Sequence, residues 1–492
     1  MNAPHFDVLI IGAGLSGIGQ ACQLQAARPD RTIAVLERRQ RPGGTWDLFR
    51  YPGIRSDSDI CTFGFNFRPW QGTQVLADGP SIRQYIAETA AEFGVDDKIQ
   101  YGLKVLNAAW SSPESRWTVT ALHEASGETR TYSCNFLIGA TGYYNYDAGY
   151  LPTFPGVDRF KGQCIHPQQW PEDLDYAGKK IVVIGSGATA VTLVPAMAGK
   201  AGKVTMLQRS PSYIFSLPAV DKVSQLLGRF LPERWVYAIT RKRNLAFQRQ
   251  MFLACRRWPT QMRRLLLWQV RRHVGPSVDM SHFTPTYMPW DQRMCAVPSG
   301  DLFKVLASGE ASVVTDEIDT FTEKGILLKS GRELEADIIV TATGLNVQML
   351  GGMTLSVDGE ARELHDQMTY KGVLVQNVPN MAVILGYTNA SWTLKAEIAG
   401  AYLCRLLQHM DDHGFAVATP RDIDDCALEA GVLDQLNSGY VRRGQAVVPR
   451  QGSKHPWKVL MDYQKDSEIL LEDPIDDGVL QFGMTAQHYV AV

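Results

Sequence analysis

The sequence predicts an α/β chain in which one βαβ unit occurs twice and the second copy carries a helical insertion. Three observations predict it. A short β-branched strand runs directly into a glycine-rich turn at 6–17 and again at 180–190. Each copy is closed by a buried strand ending in Ala-Thr-Gly, at Ala140-Thr141-Gly142 and at Ala342-Thr343-Gly344. From 222 to 276 the period becomes helical, with Leu, Phe, Trp and Met alternating with twelve Arg and Lys between Arg229 and Arg272. A chain of 492 residues also exceeds what one ordinary core accommodates.

In the first copy, Phe6–Ile11 is a strand, 14–27 a helix and Arg31–Leu36 the next strand. The turn between them is Gly12-Ala-Gly14-Leu-Ser16-Gly17. The first glycine of such a turn makes the sharp bend, the second lets backbone approach a pyrophosphate, and the third brings helix and strand close. The helix N-terminus adds partial positive charge. Glu37 ends the second strand, 25 residues after Gly12, where a carboxylate accepts both ribose hydroxyls. This is a Rossmann-like dinucleotide site for an unphosphorylated ribose, as in FAD.

The second copy repeats the plan over Lys180–Ile184, Ala188–Met197 and Lys203–Leu207, with the turn Gly185-Ser186-Gly187-Ala188-Thr189-Ala190. Its second strand ends in Gln208-Arg209-Ser210, without a carboxylate. An acid there would repel a 2′-phosphate, whereas Arg209 pairs with one and Ser210 donates to it. The second site therefore prefers NADPH. Two dinucleotides in one chain imply hydride transfer between them.

The remaining chain divides around these units. Residues 1–150 and 341–492 form the FAD-binding domain, 151–221 and 291–340 the NADPH-binding domain, and 222–290 the insertion. Residues 38–134 read as less regular, 325–334 as a hairpin, 392–412 as a helix, and the tail after about 440 as irregular. A net charge of −2 points to no polyanionic partner, such as nucleic acid, for the molecule as a whole. The eight cysteines are scattered, as in a reduced, cytoplasmic protein, and no zinc spacing occurs. No secretory leader and no membrane-spanning helix is expected. The Arg-rich helical face of 222–276 has two readings, a solvated or interdomain surface and a peripheral contact with an anionic membrane.

The linker before the second unit narrows the function. Phe160-Lys-Gly162-Gln-Cys-Ile-His166-Pro-Gln-Gln-Trp170-Pro171 fits F-x-G-x-x-x-H-x-x-x-W-P at every fixed position. It resembles the fingerprint of type I Baeyer–Villiger flavin monooxygenases, and within them the ethionamide-activating group. Gly43-Gly-Thr45-Trp46-Asp47-Leu48-Phe-Arg50-Tyr-Pro-Gly53-Ile-Arg55-Ser56-Asp57 is similar to that family's flavin-covering loop. Tyr287-Met-Pro-Trp-Asp-Gln292-Arg293 falls where the family places its active-site arginine. Relatives often carry lysine at the position of Gln292, a departure that bears on how strongly NADH is excluded.

The resemblance implies FAD reduced by NADPH, reaction with O₂ to a C4a-peroxyflavin, and conversion of ketones to esters or lactones, with sulfides as further substrates. Arg293 would stabilise the peroxide anion and the oxyanion formed next. Asp57 would hold and tune Arg293, and His166 would couple linker and cofactor movements. Thr45, Trp46, Asp47, Leu48 and Val105 would line the flavin, and Arg55 and Ser56 would reach NADP⁺. Each has a plainer reading: Arg293 as a structural ion pair, Asp57 as a turn cap, His166 as a hydrogen-bonded strut, Trp46 as core. Other functions stay open, namely an N- or S-oxidising flavin monooxygenase, a disulfide reductase, and a non-catalytic NADPH sensor.

Overall fold

The β-branched run near the N-terminus forms strand β1 (His5–Ile11), whose last four residues are buried. A computed structural model of the chain describes residues 3–434 and 438–484. Helix α1 (Leu15–Ala27) follows, then β2 (Ile33–Glu37), parallel to β1 with Val8 opposite Ile33. Helix α2 (Gly79–Glu92) is capped by Asp78, whose carboxylate accepts from Ser81 N–H.

The stretch expected to be less regular contains most of an antiparallel meander, β3 (Leu103–Ser111), β4 (Arg116–His123) and β5 (Glu128–Gly139). The cause is a period of two: Trp117, Val119 and Ala121 turn inward while Arg116 and Thr118 face solvent. β5 then continues as the parallel neighbour of β1, with Val8 opposite Phe136. One strand thus joins the meander to the Rossmann sheet.

After β6 (Tyr144–Gly149) the chain enters a second sheet. It contains β7 (Gln163–Ile165), β8 (Lys180–Ile184), β9 (Lys203–Gln208), β10 (Ala311–Thr315) and β11 (Ile338–Thr341), all parallel, in the order β7-β11-β8-β9-β10. Helix α3 (Ala188–Met197) connects β8 to β9 as the sequence predicts. Between β9 and β10 lie α4 (Lys222–Leu227), α5 (Glu233–Arg257) and α6 (Pro259–Val274), and then α7 (Asp301–Ser308). The predicted hairpin is part of a three-stranded antiparallel sheet over 318–335.

Past β11 the chain returns. Strand β12 (Leu345–Val347) pairs antiparallel with β6, making a two-stranded seam between the halves. Thr354–Val357 adds to β3 and Met381–Val383 to the end of β5. Helix α8 (Trp392–His413) buries one face against α1. Of the tail after 440, the residues to 484 are more ordered than expected, and 485–492 lie outside the described residues. The tail continues α9 (Gly439–Gly444), and α10 (Tyr463–Leu471) packs on α8. Asp462 caps α10, and Arg405 of α8 donates to the Leu470 and Asp473 carbonyls, tying down its end. Among the described residues no helix is long and apolar enough to cross a membrane.

Candidate active site

Both glycine turns lean on the Ala-Thr-Gly segment that closes their sheet. Gly12 has φ +103°, and a Cβ there would lie 2.7 Å from the Ala140 carbonyl oxygen. Gly185 has φ +136°, and its Cβ would lie 2.3 Å from the Ala342 carbonyl oxygen. Only glycine meets both demands. The third positions differ. A Cβ on Gly17 would stand 1.8 Å from the Gly12 carbonyl oxygen, whereas Ala190 is accommodated and fully buried. Gly12, Gly14, Ser16, Gly185, Ser186, Gly187, Ala188 and Thr189 line one continuous cavity of about 1030 Å³. Gly17 and Ala190 lie behind it as packing positions.

The far ends of the second strands separate the two halves chemically. Glu37 is buried, and its carboxylate accepts from Ala13 N–H at 2.6 Å and from Arg39 N–H at 2.7 Å. Burial raises its pKa, and the two backbone donors oppose that rise. Each oxygen uses one acceptor position on the protein, so lone pairs remain where Glu37 lines the cavity. Arg209 and Ser210 are exposed at the corresponding end of β9 and line the same cavity. Among the described residues Arg209 makes no ion pair. Ser186 donates to the Ser210 carbonyl at 3.1 Å and meets the Ser212 hydroxyl at 2.9 Å, which fixes the turn against that strand end.

The loop 43–57 contributes Thr45, Trp46, Arg55, Ser56 and Asp57 to the lining, and β3 contributes Val105. Asp47 and Leu48 are brought elsewhere. Asp47 is 2 % exposed and enclosed by Arg39 at 2.7 Å, Arg50 at 2.6 Å and Arg41 at 3.4 Å. Three guanidinium groups on the far side of the loop draw the carboxylate away from the cavity. Leu48 packs beside the apolar cluster of the second half. Arg55 pairs with Asp301 at 2.6 Å, so the loop is anchored to α7 of the second half.

Arg293 closes the site from the second half. Its guanidinium lies 3.0 and 3.1 Å from the two oxygens of Asp57, which belongs to the first. The Asp57 charge outweighs burial and holds the Arg293 proton more firmly than usual. Gln292 also lines the cavity, and Arg443 of α9 stacks 3.4 Å from the Tyr150 ring centroid at its rim.

Sequence reasoning missed the residues that face Arg293. Tyr143 and Tyr144 follow the first Ala-Thr-Gly directly, and their hydroxyls are 2.9 Å apart. Tyr440 arrives from α9, and Trp392, which stacks on Tyr143 at 5.2 Å, begins α8. Burial pushes the phenols of Tyr143, Tyr144 and Tyr440 up, so they stay protonated at neutral pH. The Gly142-Tyr143-Tyr144 run at the end of a parallel strand carried a usable signal, since sites in such sheets form at strand C-termini. Tyr440 and Trp392 carried none that sequence spacing could show.

His166 sits at the seam, where it also lines the cavity. Its Nδ1 accepts from Gln168 N–H at 3.2 Å, and Nε2 faces the Gly344 carbonyl at 3.1 Å, so the neutral Nε2–H tautomer satisfies both. Burial lowers its pKa. A Cβ on Gly149 of β6 would collide with the ring at 1.9 Å. The fingerprint therefore belongs to the junction: Phe160 packs edge-on against Phe321 at 6.4 Å, and Trp170 is buried.

The cavity fits two dinucleotides. Gly14 faces Gly44, where an added Cβ would come within 2.9 Å of the Gly14 Cα, so that gap admits nothing bulkier than glycine. At Gly187 a Cβ would meet nothing within 4 Å, which leaves open space before the second helix N-terminus. One half ends in an anion and the other in an unpaired cation, as a free and a phosphorylated ribose require.

The comparisons with known proteins agree. Residues 75–350 match the flavin-binding monooxygenase-like family, and residues 10–71 match an NAD(P)-binding Rossmann-like domain. The chain is 73% identical over 491 residues to the FAD-containing monooxygenase MymA of Mycobacterium tuberculosis, covering 99% of both. It is 50% identical over 490 residues to the FAD-containing monooxygenase EthA of Mycolicibacterium smegmatis, covering 99% of this chain and 98% of that one. The fold matches that of oxidized steroid monooxygenase bound to NADP with a TM-score of 0.77, at 21% identity, covering 98% of this chain and all of that one.

Proposed function

The chain belongs to the flavin-binding monooxygenase-like family, and we propose that it is an FAD- and NADPH-dependent enzyme of the Baeyer–Villiger type that converts ketones to esters or lactones and also oxidises sulfides. The observation that carries this reading is the Arg293–Asp57 pair, a permanent cation and its counter-ion brought together from both halves inside one cavity.

The 12–17 turn and Glu37 would hold FAD, with Thr45, Trp46 and Val105 along the cavity wall. The 185–190 turn would hold NADPH with Arg209 and Ser210 at its phosphorylated ribose, and Arg55 and Ser56 would approach it from the 43–57 loop. Reduced FAD, once bound, supplies the activation of O₂. The chain's own residues then decide what that oxygen does. Arg293 cannot give up its proton, so it offers a fixed positive charge where negative charge develops on oxygen during insertion next to a carbonyl. Asp57 aims the guanidinium and keeps the pair compact. The protonated phenols of Tyr143, Tyr144 and Tyr440 present hydroxyl groups beside that charge without adding a negative one. Apolar and aromatic walls, Trp46 and Trp392 among them, keep bulk water from the reacting oxygen. His166 acts as a positioning residue, since both its nitrogens are engaged at the seam.

The test is product identification. The FAD-loaded protein is supplied with NADPH, ¹⁸O₂ and a panel of linear, cyclic and aryl ketones and thioethers. Esters or lactones carrying one ¹⁸O are expected, with sulfoxides alongside. Sulfoxides alone, with every ketone recovered, would return the chain to a sulfur- or nitrogen-oxidising role.

A further inference from the structure

The helical insertion has two unlike faces. Its inner face is committed. Arg241 of α5 is buried, pairs with Glu397 at 2.9 Å and donates to the Cys61 and Gly64 carbonyls. Leu266, Val270 and Val274 of α6, four residues apart, are buried against the second half. The outer face carries side chains that a merely solvated helix does not. Eleven of the eighteen large hydrophobic side chains exposed among the described residues fall between Val223 and Trp268, under a tenth of the chain. Phe230 is 78% exposed, Trp235 56%, and Trp258 and Trp268 55% each. Scattered single apolar residues on a surface need no partner, but a concentration of this kind marks a contact.

The charge of the same segment says what kind. Thirteen Lys and Arg against the single acid Glu233 give 222–276 a net charge of +12, so the rest of the chain carries −14 of the total −2. Only Arg241, Arg243, Arg249 and Arg256 have carboxylate partners, which leaves nine cations unpaired among the described residues. Cations and indoles are interleaved: the Arg272 guanidinium lies 5.5 Å from the Trp268 ring centroid, one turn away on α6. Indole with a polar edge, long-stemmed cations around it, and almost no acid are the requirements of a bilayer interface carrying anionic headgroups. A second copy of this chain would bring another +12 surface against the first.

We propose that α4–α6 form a peripheral docking surface for an anionic lipid bilayer, with Phe230, Trp235, Trp258 and Trp268 entering the headgroup region and the unpaired cations meeting lipid phosphates. This inference is independent of the chemistry proposed above. The insertion lies on the surface and does not cross it, since none of its helices is apolar enough to span.

The FAD-loaded full chain is tested by flotation with vesicles of phosphatidylcholine alone and of phosphatidylcholine with phosphatidylglycerol in equal parts. Partition should favour the anionic vesicles at least tenfold at 0.1 M salt and collapse near 1 M, where screening shortens to about 3 Å. Arg264→Ala with Arg271→Ala should weaken partition about fivefold per residue removed. Trp235→Phe, Trp258→Phe and Trp268→Phe combined should remove the quenching of tryptophan fluorescence by brominated lipid chains. NADPH oxidation by both variants should match wild type, which shows them folded. Equal partition to both vesicles, or none to either, overturns the proposal. So does a dimer in sedimentation that the arginine variant converts to monomer, because a second copy would then cover this face.

Discussion

The two Rossmann halves share a backbone and part at their far ends. Both bend at a glycine of positive φ that presses on an Ala-Thr-Gly carbonyl, and both open onto one cavity. Beyond that they diverge. The first half needs glycine at its third position and buries its terminal acid, Glu37, under two backbone donors. The second tolerates Ala190 and leaves Arg209 exposed and unpaired among the described residues. The comparison teaches that the glycine turn supplies a generic place for a pyrophosphate. On the proposed assignment, one side chain some twenty-five residues later selects which dinucleotide occupies it.

That division can be broken or sharpened by substitution. The largest effect is expected at Gly17→Ala, because the new Cβ would stand 1.8 Å from backbone oxygen. A loss of about 4 kcal/mol or more should follow, against about 1 kcal/mol for Ala190→Gly in the matching position of the other half. Thermal unfolding of both variants measures the contrast, and equal losses would mean the third positions are equivalent after all.

Arg293→Ala acts where the halves meet. Ester formation should fall about 10²–10³-fold while NADPH is still oxidised in air, with hydrogen peroxide making up the difference. Ester formed per NADPH consumed is the decisive ratio, and near wild-type coupling would remove Arg293 from the proposed role. Arg209→Ala should raise the NADPH KM about ten- to a hundredfold and leave NADH nearly unchanged, since only the phosphate is lost. Equal damage with both cofactors would assign Arg209 a structural part.

The smallest effect is at the seam. Burial holds His166 below the ordinary value of about 6.5 in the folded protein. The neutral ring's contribution to stability is therefore full above that pH and is lost as pH falls through it. Melting temperature measured from pH 8 to pH 5 should decline less steeply for His166→Gln than for wild type. Parallel curves would show that the imidazole does not titrate against the seam.

Much of this was legible in the sequence, and the gaps have physical causes. Strand, glycine turn and helix lie within a few residues of one another, so periodicity and spacing reveal both units. Glu37 and Arg209 are equally local, each ending the strand that follows its turn. Tyr440 and Trp392 reach the cavity only because the chain returns to the first sheet through Met381–Val383, a pairing that no local pattern encodes. Asp47 illustrates the opposite limit. Its position in the flavin loop is readable, but the direction of its carboxylate is set by competition among Arg39, Arg41 and Arg50. The C-terminal helix α10 was missed because its periodicity is short and its order comes from α8.

The ion pairs across the junction carry one more implication. Asp57 and Arg55 belong to the flavin half, and their partners Arg293 and Asp301 to the other. Sliding one half past the other by a few ångströms would strip both couples at once. Arg293 would then face its tyrosines without a counter-ion, and the two glycine turns that open onto the cavity would shift relative to one another in the same motion. Alignment of the halves and the charge state of the site are thus a single variable. Under the proposed function, a misregistered molecule would be poor at taking a hydride and poor at holding an oxyanion together, an interlock that would tie the use of NADPH to readiness for oxygen insertion.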